Sequence, residues 1–292
     1  MAISIETSII TASQNRNAAG LSDDLNWWCF GGRGAGAFVQ AHHDGIRIGQ
    51  ATVVEKPPFP SQGAFRVAEI GHNYVDKAFR RRGIFSKLVD EIEKFARIEG
   101  ISALYVTPNS ASEPIYHKLN YAFCEEPAEL VLIPFDNSVA GGTHKALTEI
   151  QKDEYINLTL DCSRLFKGCA KYLQWRFAKP SAEFRFFCSQ DRSAIMAVRP
   201  GSPGPLGVYV LSEFFLCGQK PPLEITLEYV EQLRQTLTEQ KPIIFPSTDR
   251  CKLKDRTAVR VYRNFPMAYK RVTEGFIFPS THQYQFTDSD YG

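Results

Sequence analysis

The sequence predicts an α/β protein made of two tandem copies of one fold, each a mixed sheet flanked by helices, with the second copy diverged. Three observations carry this expectation. Runs in the first half follow the order β-β-β-α-β-α-β, which belongs to a layered α/β unit with a partly parallel sheet. Leu25-Asn26-Trp27 recurs as Leu173-Gln174-Trp175, and the same spacing sets Phe38-Val39 on Phe186-Phe187. Such self-similarity is the mark of a duplicated unit. Asn137 to Gly142 (NSVAGG) is the most linker-like stretch, so the expected division lies near residue 140, giving units 1–140 and 141–292.

In the first half, Val39 to Ala41 and Ile46 to Val54 flank His42-His43-Asp44-Gly45 and predict a hairpin. Pro57, Pro58, Pro60 and Gly63 break the pattern before a strand over Phe65 to Val75. Ile84, Leu88, Ile92 and Phe95 share one helical face, with Lys87, Asp90, Glu91, Glu93 and Lys94 mostly opposite, and Gly100 ends the helix. The apolar run Ile101 to Val106 predicts a buried parallel strand. A short helix follows over Ser112 to Leu119, then strands over Tyr121 to Cys124 and Leu130 to Phe135. In the second half, Val208 to Leu216, Leu223 to Glu239 and Ile243 to Pro246 predict strand, helix and strand.

The 292 residues are 43% hydrophobic and 23% charged, which excludes wholesale disorder. With 34 basic and 32 acidic residues the net charge is +2, so bulk electrostatics gives no ground for nucleic acid or an anionic membrane as partner. Any anion site must be local. No apolar run is long enough for a membrane-spanning helix. Met1 to Ser13 lacks a basic segment followed by an apolar one, so the expectation is a cytoplasmic protein. The seven cysteines are odd in number and form no C-x-x-C pair, which favours reduced thiols over zinc or a disulfide framework. No metal is expected.

The most informative segment is Val75-Asp76-Lys77-Ala78-Phe79-Arg80-Arg81-Arg82-Gly83-Ile84-Phe85-Ser86, between a predicted strand and a predicted helix. A helix start has unpaired N–H groups and partial positive charge, so a turn entering it suits a phosphate. Gly83 allows close backbone approach, Arg80 to Arg82 add cationic charge, and Ser86 adds a hydroxyl. The alternative is an exposed basic loop before an ordinary helix. The pattern is neither a Walker A motif nor G-x-G-x-x-G.

Arg80-Arg81-Arg82-Gly83-Ile84-Phe85 resembles the R-x-x-G-x-(G/A) acyl-CoA pyrophosphate loop of the GNAT superfamily of N-acyltransferases, with Phe85 where that family has a small residue. Asn109 to Tyr121 resembles a second family motif, N-x-x-(A/S)-x-x-x-Y-x-x-x-G-F, with Asn120-Tyr121 in place of Gly-Phe. Two ordered motifs separated by a helix and a strand are more specific than either alone. The resemblance runs from about Ile46 to Phe135 and implies two GNAT-like domains, the second degenerate.

The resemblance also implies roles. Acyl-CoA, carrying an acetyl or short substituted acyl group, is the co-substrate. Tyr74 and Val75 offer backbone contacts to its pantetheine. Arg80, Arg81, Arg82, Gly83, Ile84, Phe85 and Ser86 hold its pyrophosphate, and Asn109 and Ser112 join the coenzyme site. Tyr116 is the acid that protonates the leaving sulfur, or else a packing tyrosine. Glu69 and His72 are the candidate bases, which simple alternation sets on opposite faces of their strand unless a bulge intervenes; a water chain is the alternative. Trp27 and Trp28 are either core or a stacking wall for the acceptor. Arg176 in the Trp175-Arg176-Phe177 segment is a candidate for an acceptor phosphate, and Asp288 and Asp290 in the tail for sugar hydroxyls or an ammonium. Gly218-Gln219-Lys220-Pro221-Pro222 replaces the phosphate turn in the second half, and proline has no N–H to offer, so no coenzyme is expected there. That half is expected to form part of an acceptor cleft.

The whole-chain pattern resembles sugar N-acyltransferases that act on nucleotide-linked amino sugars, such as 3-amino-3,6-dideoxyhexoses, in surface-polysaccharide synthesis. Other readings are an N-acetyltransferase for a small amine, antibiotic or peptide, and a non-catalytic acyl-CoA sensor. The expected state is a monomer or homodimer.

Overall fold

The computed structural model describes residues 5–11, 21–32, 34–56, 65–124, 128–133, 146–162, 170–201, 207–216, 223–237, 241–247, 260–265 and 267–274. The linker-like stretch 137–142, the turn 218–222, Asp288 and Asp290 lie outside them.

In chain order the elements are β1 (Glu6–Thr11), α1 (Asp23–Phe30), β2 (Gly36–His43), β3 (Ile46–Lys56), β4 (Val67–Val75), α2 (Ile84–Ile98), β5 (Ala103–Val106), α3 (Glu113–Lys118), β6 (Ala122–Phe123) and β7 (Ala128–Ile133). They continue with β8 (Leu147–Ile150), α4 (Lys152–Cys162), α5 (Ala170–Arg176), β9 (Arg185–Ser189), β10 (Ala194–Gly201), β11 (Val208–Leu216), α6 (Leu223–Thr236), β12 (Ile243–Ser247), β13 (Arg260–Phe265) and β14 (Ala268–Arg271).

Local chemistry accounts for the elements that frame the site. The β2–β3 hairpin turns on Asp44 and Gly45, at φ 50° and 74°, the two positive-φ positions that match strand twist. The buried face of α2 is Ile84, Leu88, Val89, Ile92, Phe95 and Ala96. These residues pack with Ala68, Ile70, Val75 and Leu104 in one core cluster. The chain leaves α2 through Gly100 at φ 69°. All four residues of β5 are buried, as the unbroken apolar run requires of a strand covered on both faces. β5 runs parallel to β4.

The described strands form two seven-stranded sheets with one topology. The first has the order β1-β2-β3-β4-β5-β14-β6. The second, read from its opposite end, is β8-β9-β10-β11-β12-β7-β13. Each has an antiparallel start, one parallel pair (β4 with β5, β11 with β12), and an antiparallel finish. The sequence echo maps onto matching elements: Trp27 lies in α1 and Trp175 in α5, Phe38-Val39 in β2 and Phe186-Phe187 in β9. The fold is therefore a tandem of two GNAT-like mixed sheets flanked by helices.

The two units exchange a strand. β7 follows β6 in the chain but inserts between β12 and β13, and β14 follows β13 but inserts between β5 and β6. The division falls at Cys124/Glu125 rather than near 140, and the first unit takes back Pro266–Pro279. Sequence pattern alone placed 130–135 with the first half because adjacent strands are usually neighbours in space. The returning strand is firmly held. It pairs with β5 from Ala268↔Val106 to Arg271↔Ala103 and with Phe123 and Ala122 of β6. Lys270 Nζ donates to Glu93 Oε1 on α2 at 2.8 Å and to the Leu119 carbonyl at 3.0 Å.

Candidate active site

The site is built around an irregularity in β4. Thr52 pairs with Gly71 and Gln50 with Tyr74, so His72 and Asn73 together oppose Ala51. This is a β-bulge, and His72 takes its left-handed backbone at φ 48°. The extra residue switches the alternation of the strand. Ala68 and Ile70 before the bulge and Val75 after it all enter the same core. Asn73 joins Val75 on that face, where its Nδ2 donates to the Tyr116 hydroxyl at 2.8 Å. His72 turns to the other face, edge-on to Trp28 with ring centroids 5.2 Å apart.

β4 and β5 also part company. Their pairing runs only from Val67↔Ala103 to Glu69↔Tyr105. Beyond Glu69 the β5 side of β4 opens. The Asp76 N–H donates to the Ile48 carbonyl at 2.8 Å, so alternation turns the Val75 N–H and C=O away from β3 and toward that opening. Tyr74, one residue earlier, has its backbone committed to the β3 ladder opposite Gln50, while its ring is 50% exposed.

The turn after β4 leads into the open start of α2. Asp76 Oδ1 accepts from the Ala78 N–H, capping a single 3-10 turn over Lys77–Phe79. Arg80 Nε donates to the Val75 carbonyl at 3.0 Å, tying the turn to the end of β4. Arg81 and Gly83 both take positive φ, 62° and 75°. Gly83 precedes α2 without any side-chain cap, and the first intrahelical bond runs from the Lys87 N–H to the Gly83 carbonyl. The N–H groups of Ile84, Phe85 and Ser86 are thus offered outward at a 15-residue helix, beside the exposed Arg80, Arg81 and Arg82. N–H groups and guanidinium charge converging at a helix start are the kind of arrangement that suits an anion.

Tyr116, on α3, is fully buried. Phe85 and Tyr121 pack edge-on to its ring, at 5.6 and 4.9 Å. Burial pushes its phenol well above the ordinary value, while the Asn73 bond pulls the other way. Phe85, the bulky departure from the family pattern, therefore turns inward as part of the wall around Tyr116.

Other expected residues take structural positions. Glu69 is ion-paired to Lys56 at 3.1 Å, with side chains only 4% and 2% exposed. The Lys56 ammonium lies 4.2 Å from the Trp28 ring centroid. A buried carboxylate held against a buried ammonium is a fixed charge rather than a base open to an acceptor. Because of the bulge, Glu69 and His72 both face Trp28, whereas simple alternation separates them. His72 is exposed and Glu69 is not. Trp27 and Trp28 are both buried, so they are core rather than a stacking wall. Arg176 is 2% exposed, with its guanidinium 5.9 Å from the Phe184 ring centroid, so it is packed inside rather than presented to a phosphate. Asn109 Oδ1 accepts from the Ala111 and Ser112 N–H groups, and Ser112 Oγ accepts from the Asn109 N–H. Both residues form the turn that starts α3. Asn73 was not among the expected residues. The signal for it was Gly71-His72-Asn73, three poor strand formers inside a strand, which is how a bulge reads in sequence. Among the described residues no cluster of potential metal ligands occurs.

Residues 6–121 match the family model described as Acetyltransferase (GNAT) family. This segment, under half of the chain, is thus similar to the acetyltransferases of that family. No curated protein matches the chain. Among solved structures, a tandem GNAT protein from the clavulanic acid biosynthesis pathway is similar at a TM-score of 0.62 and 12% identity, over 92% of this chain and 99% of that one. A GCN5-related N-acetyltransferase from Anabaena variabilis has a TM-score of 0.59 and 10% identity, over 81% of this chain and 63% of that one. The chain thus covers less than two thirds of that protein's length. A GCN5-related glucosamine N-acetyltransferase region of a fungal multi-domain GH3 β-N-acetylglucosaminidase has a TM-score of 0.65 and 9% identity, over 92% of this chain and 38% of that one. At these identities the likeness is one of fold.

Proposed function

We propose that the chain transfers a short acyl group from acyl-CoA to the primary amine of a small acceptor, with an amino sugar the favoured class. The observation that carries this reading is the juxtaposition of two features. The capless start of α2 under Arg80–Gly83 suits a pyrophosphate, and the opened edge of β4 at Val75 suits a pantetheine arm lying alongside it like an extra strand. The coenzyme then delivers its thioester to the bulge. The neutral amine attacks the carbonyl carbon, charge collects on the carbonyl oxygen, and the outward-facing Val75 N–H is the donor nearest the opening. As the carbon–sulfur bond breaks, the thiolate takes the Tyr116 hydroxyl proton. His72, exposed at the bulge, is the side chain proposed to take the proton that the amine gives up.

The sugar reading draws support from the fungal neighbour described as acting on glucosamine; the nucleotide-linked form is the narrower version of it. The test is release of CoA thiol from acetyl-CoA in the presence of glucosamine, a nucleotide-linked amino sugar, an aminoglycoside, a polyamine and a peptide N-terminus. Acceleration by an amino sugar is expected. If no amine raises the rate above hydrolysis, the chain is a coenzyme sensor rather than a transferase. His72→Ala is expected to lower kcat/KM for the amine and leave CoA affinity unchanged; undiminished turnover would hand the proton to water.

One coenzyme per chain is expected, because Pro221 and Pro222 stand before the helix of the second unit. Gly83→Val places a branched residue at φ 75°, which costs about 1–2 kcal/mol of backbone strain, and fills space that is open in front of the turn. Calorimetry should then show CoA affinity at least tenfold weaker in a folded variant. Two equivalent sites, or unchanged affinity, would contradict the assignment of the turn.

A further inference from the structure

We infer that Asn73 is a positioning residue that presents the Tyr116 hydroxyl hydrogen to the leaving sulfur, an inference that rests on the transfer reading above. The hydroxyl oxygen accepts the Asn73 Nδ2–H at 2.8 Å. With that lone pair engaged, the hydroxyl's own hydrogen must point elsewhere, and no acceptor among the described residues takes it. The opposite contact, with the Asn73 carbonyl oxygen toward Tyr116, would capture the hydrogen and leave the sulfur without a donor. Asn73 reaches Tyr116 only because the bulge shifts it onto the face of Val75. An unbroken strand would turn it toward Trp28 instead.

The donated bond also bears on acid strength. A donor to the phenol oxygen stabilises the phenolate that remains after the proton has gone, offsetting part of the penalty of burial. Asn73 thereby acts through Tyr116 and touches neither the thioester nor the amine. Its Oδ1 is buried with no hydrogen-bond partner among the described residues.

The test compares Asn73→Asp, Asn73→Ala, Tyr116→Phe and the Asn73→Asp/Tyr116→Phe double variant. CoA release from acetyl-CoA is measured with the best amine of the panel and with water alone. Asn73→Asp keeps the shape but supplies only acceptors, so it should take the phenol hydrogen and slow turnover about as much as Tyr116→Phe, about 10²–10⁴-fold. The double variant should be no slower than either single one, since all remove the same proton. Asn73→Ala should lose less, about tenfold, and CoA affinity should stay within about twofold throughout. In [Cζ-13C]tyrosine-labelled protein, Asn73→Asp should shift the Tyr116 resonance toward phenolate, a readout independent of turnover. Multiplicative losses in the double variant, an unmoved resonance, or full turnover in Asn73→Asp would overturn the positioning role. If Tyr116→Phe itself keeps full turnover, the acid assignment falls and the positioning role with it. If Tyr116→Phe is slow and Asn73→Asp is not, only the positioning role falls.

Discussion

A fragment ending at residue 140 is expected not to fold as the first unit. It lacks β14, an interior strand that pairs with β5 on one side and β6 on the other. Without it β5 becomes an open edge, β6 loses its one neighbour among the described strands, and the buried Glu93 carboxylate loses its Lys270 partner. Met267 and Ala268, both buried, also leave; burying one methionine side chain alone contributes about 1.5–3 kcal/mol. Against a total stability of about 5–15 kcal/mol, these losses together remove the native state. The same fragment carries β7 away from both its partners. A better cut follows from the register. β14 pairs antiparallel with β6, Ala268 opposite Phe123, and the Cys124 N–H donates to the Met267 carbonyl. Joining residues 266–279 to Cys124 through a short glycine loop should therefore give a hairpin, a folded unit and a CoA site. Circular dichroism and CoA calorimetry on both polypeptides check this. A 1–140 fragment with full CoA affinity would mean that β7 has closed onto β5 in place of β14.

Tyr116→Phe should reduce kcat about 10²–10⁴-fold, the range of general acid catalysis, with little change in CoA affinity. The ring keeps its contacts with Phe85 and Tyr121, so only the hydroxyl and the bond from Asn73 are removed. Leaving the Asn73 amide without that acceptor costs about 1–3 kcal/mol of stability, visible as a lower Tm. The phenol is raised by burial, so it holds its proton at every pH below its ordinary value. Tyr116 therefore contributes no alkaline fall in rate up to about pH 10. A loss below about threefold would make Tyr116 a packing residue.

Much of this was legible in the sequence because periodicity and turn chemistry are local. The amphipathic stripe of α2, the Asp44-Gly45 turn, Gly83 before the helix and the Trp27/Trp175 repeat each depend on residues close together in the chain. The exchange of β7 and β14 was not legible. Each strand pairs with partners far off in sequence, and neither Ala128–Ile133 nor Ala268–Arg271 carries a sign of which sheet receives it. The bulge was half legible: Gly71-His72-Asn73 disturbs a strand pattern, but which residue is extra depends on the register with β3. That register decides that Asn73 meets Tyr116 and that His72 shares a face with Glu69. Glu69, Trp28 and Arg176 drew functional readings for a common reason. Polar and aromatic residues attract a functional reading, and only packing reveals that Lys56, Trp28 and Glu69 neutralise and cover one another.

The reciprocal exchange sets a clock on synthesis. The first unit cannot close when Cys124 leaves the ribosome, because the strand that completes its sheet is made some 150 residues later. At about 5–20 residues per second that interval is roughly 7–30 s. Throughout it the nascent chain carries β5 with an unpaired edge, together with β7, whose partners β12 and β13 are also still to come. Both are strands of the kind that pair with strangers. The two halves must then finish together, within moments of the appearance of β13 and β14. Removing either half would strip the other of an interior strand, which gives each half a structural reason to be kept.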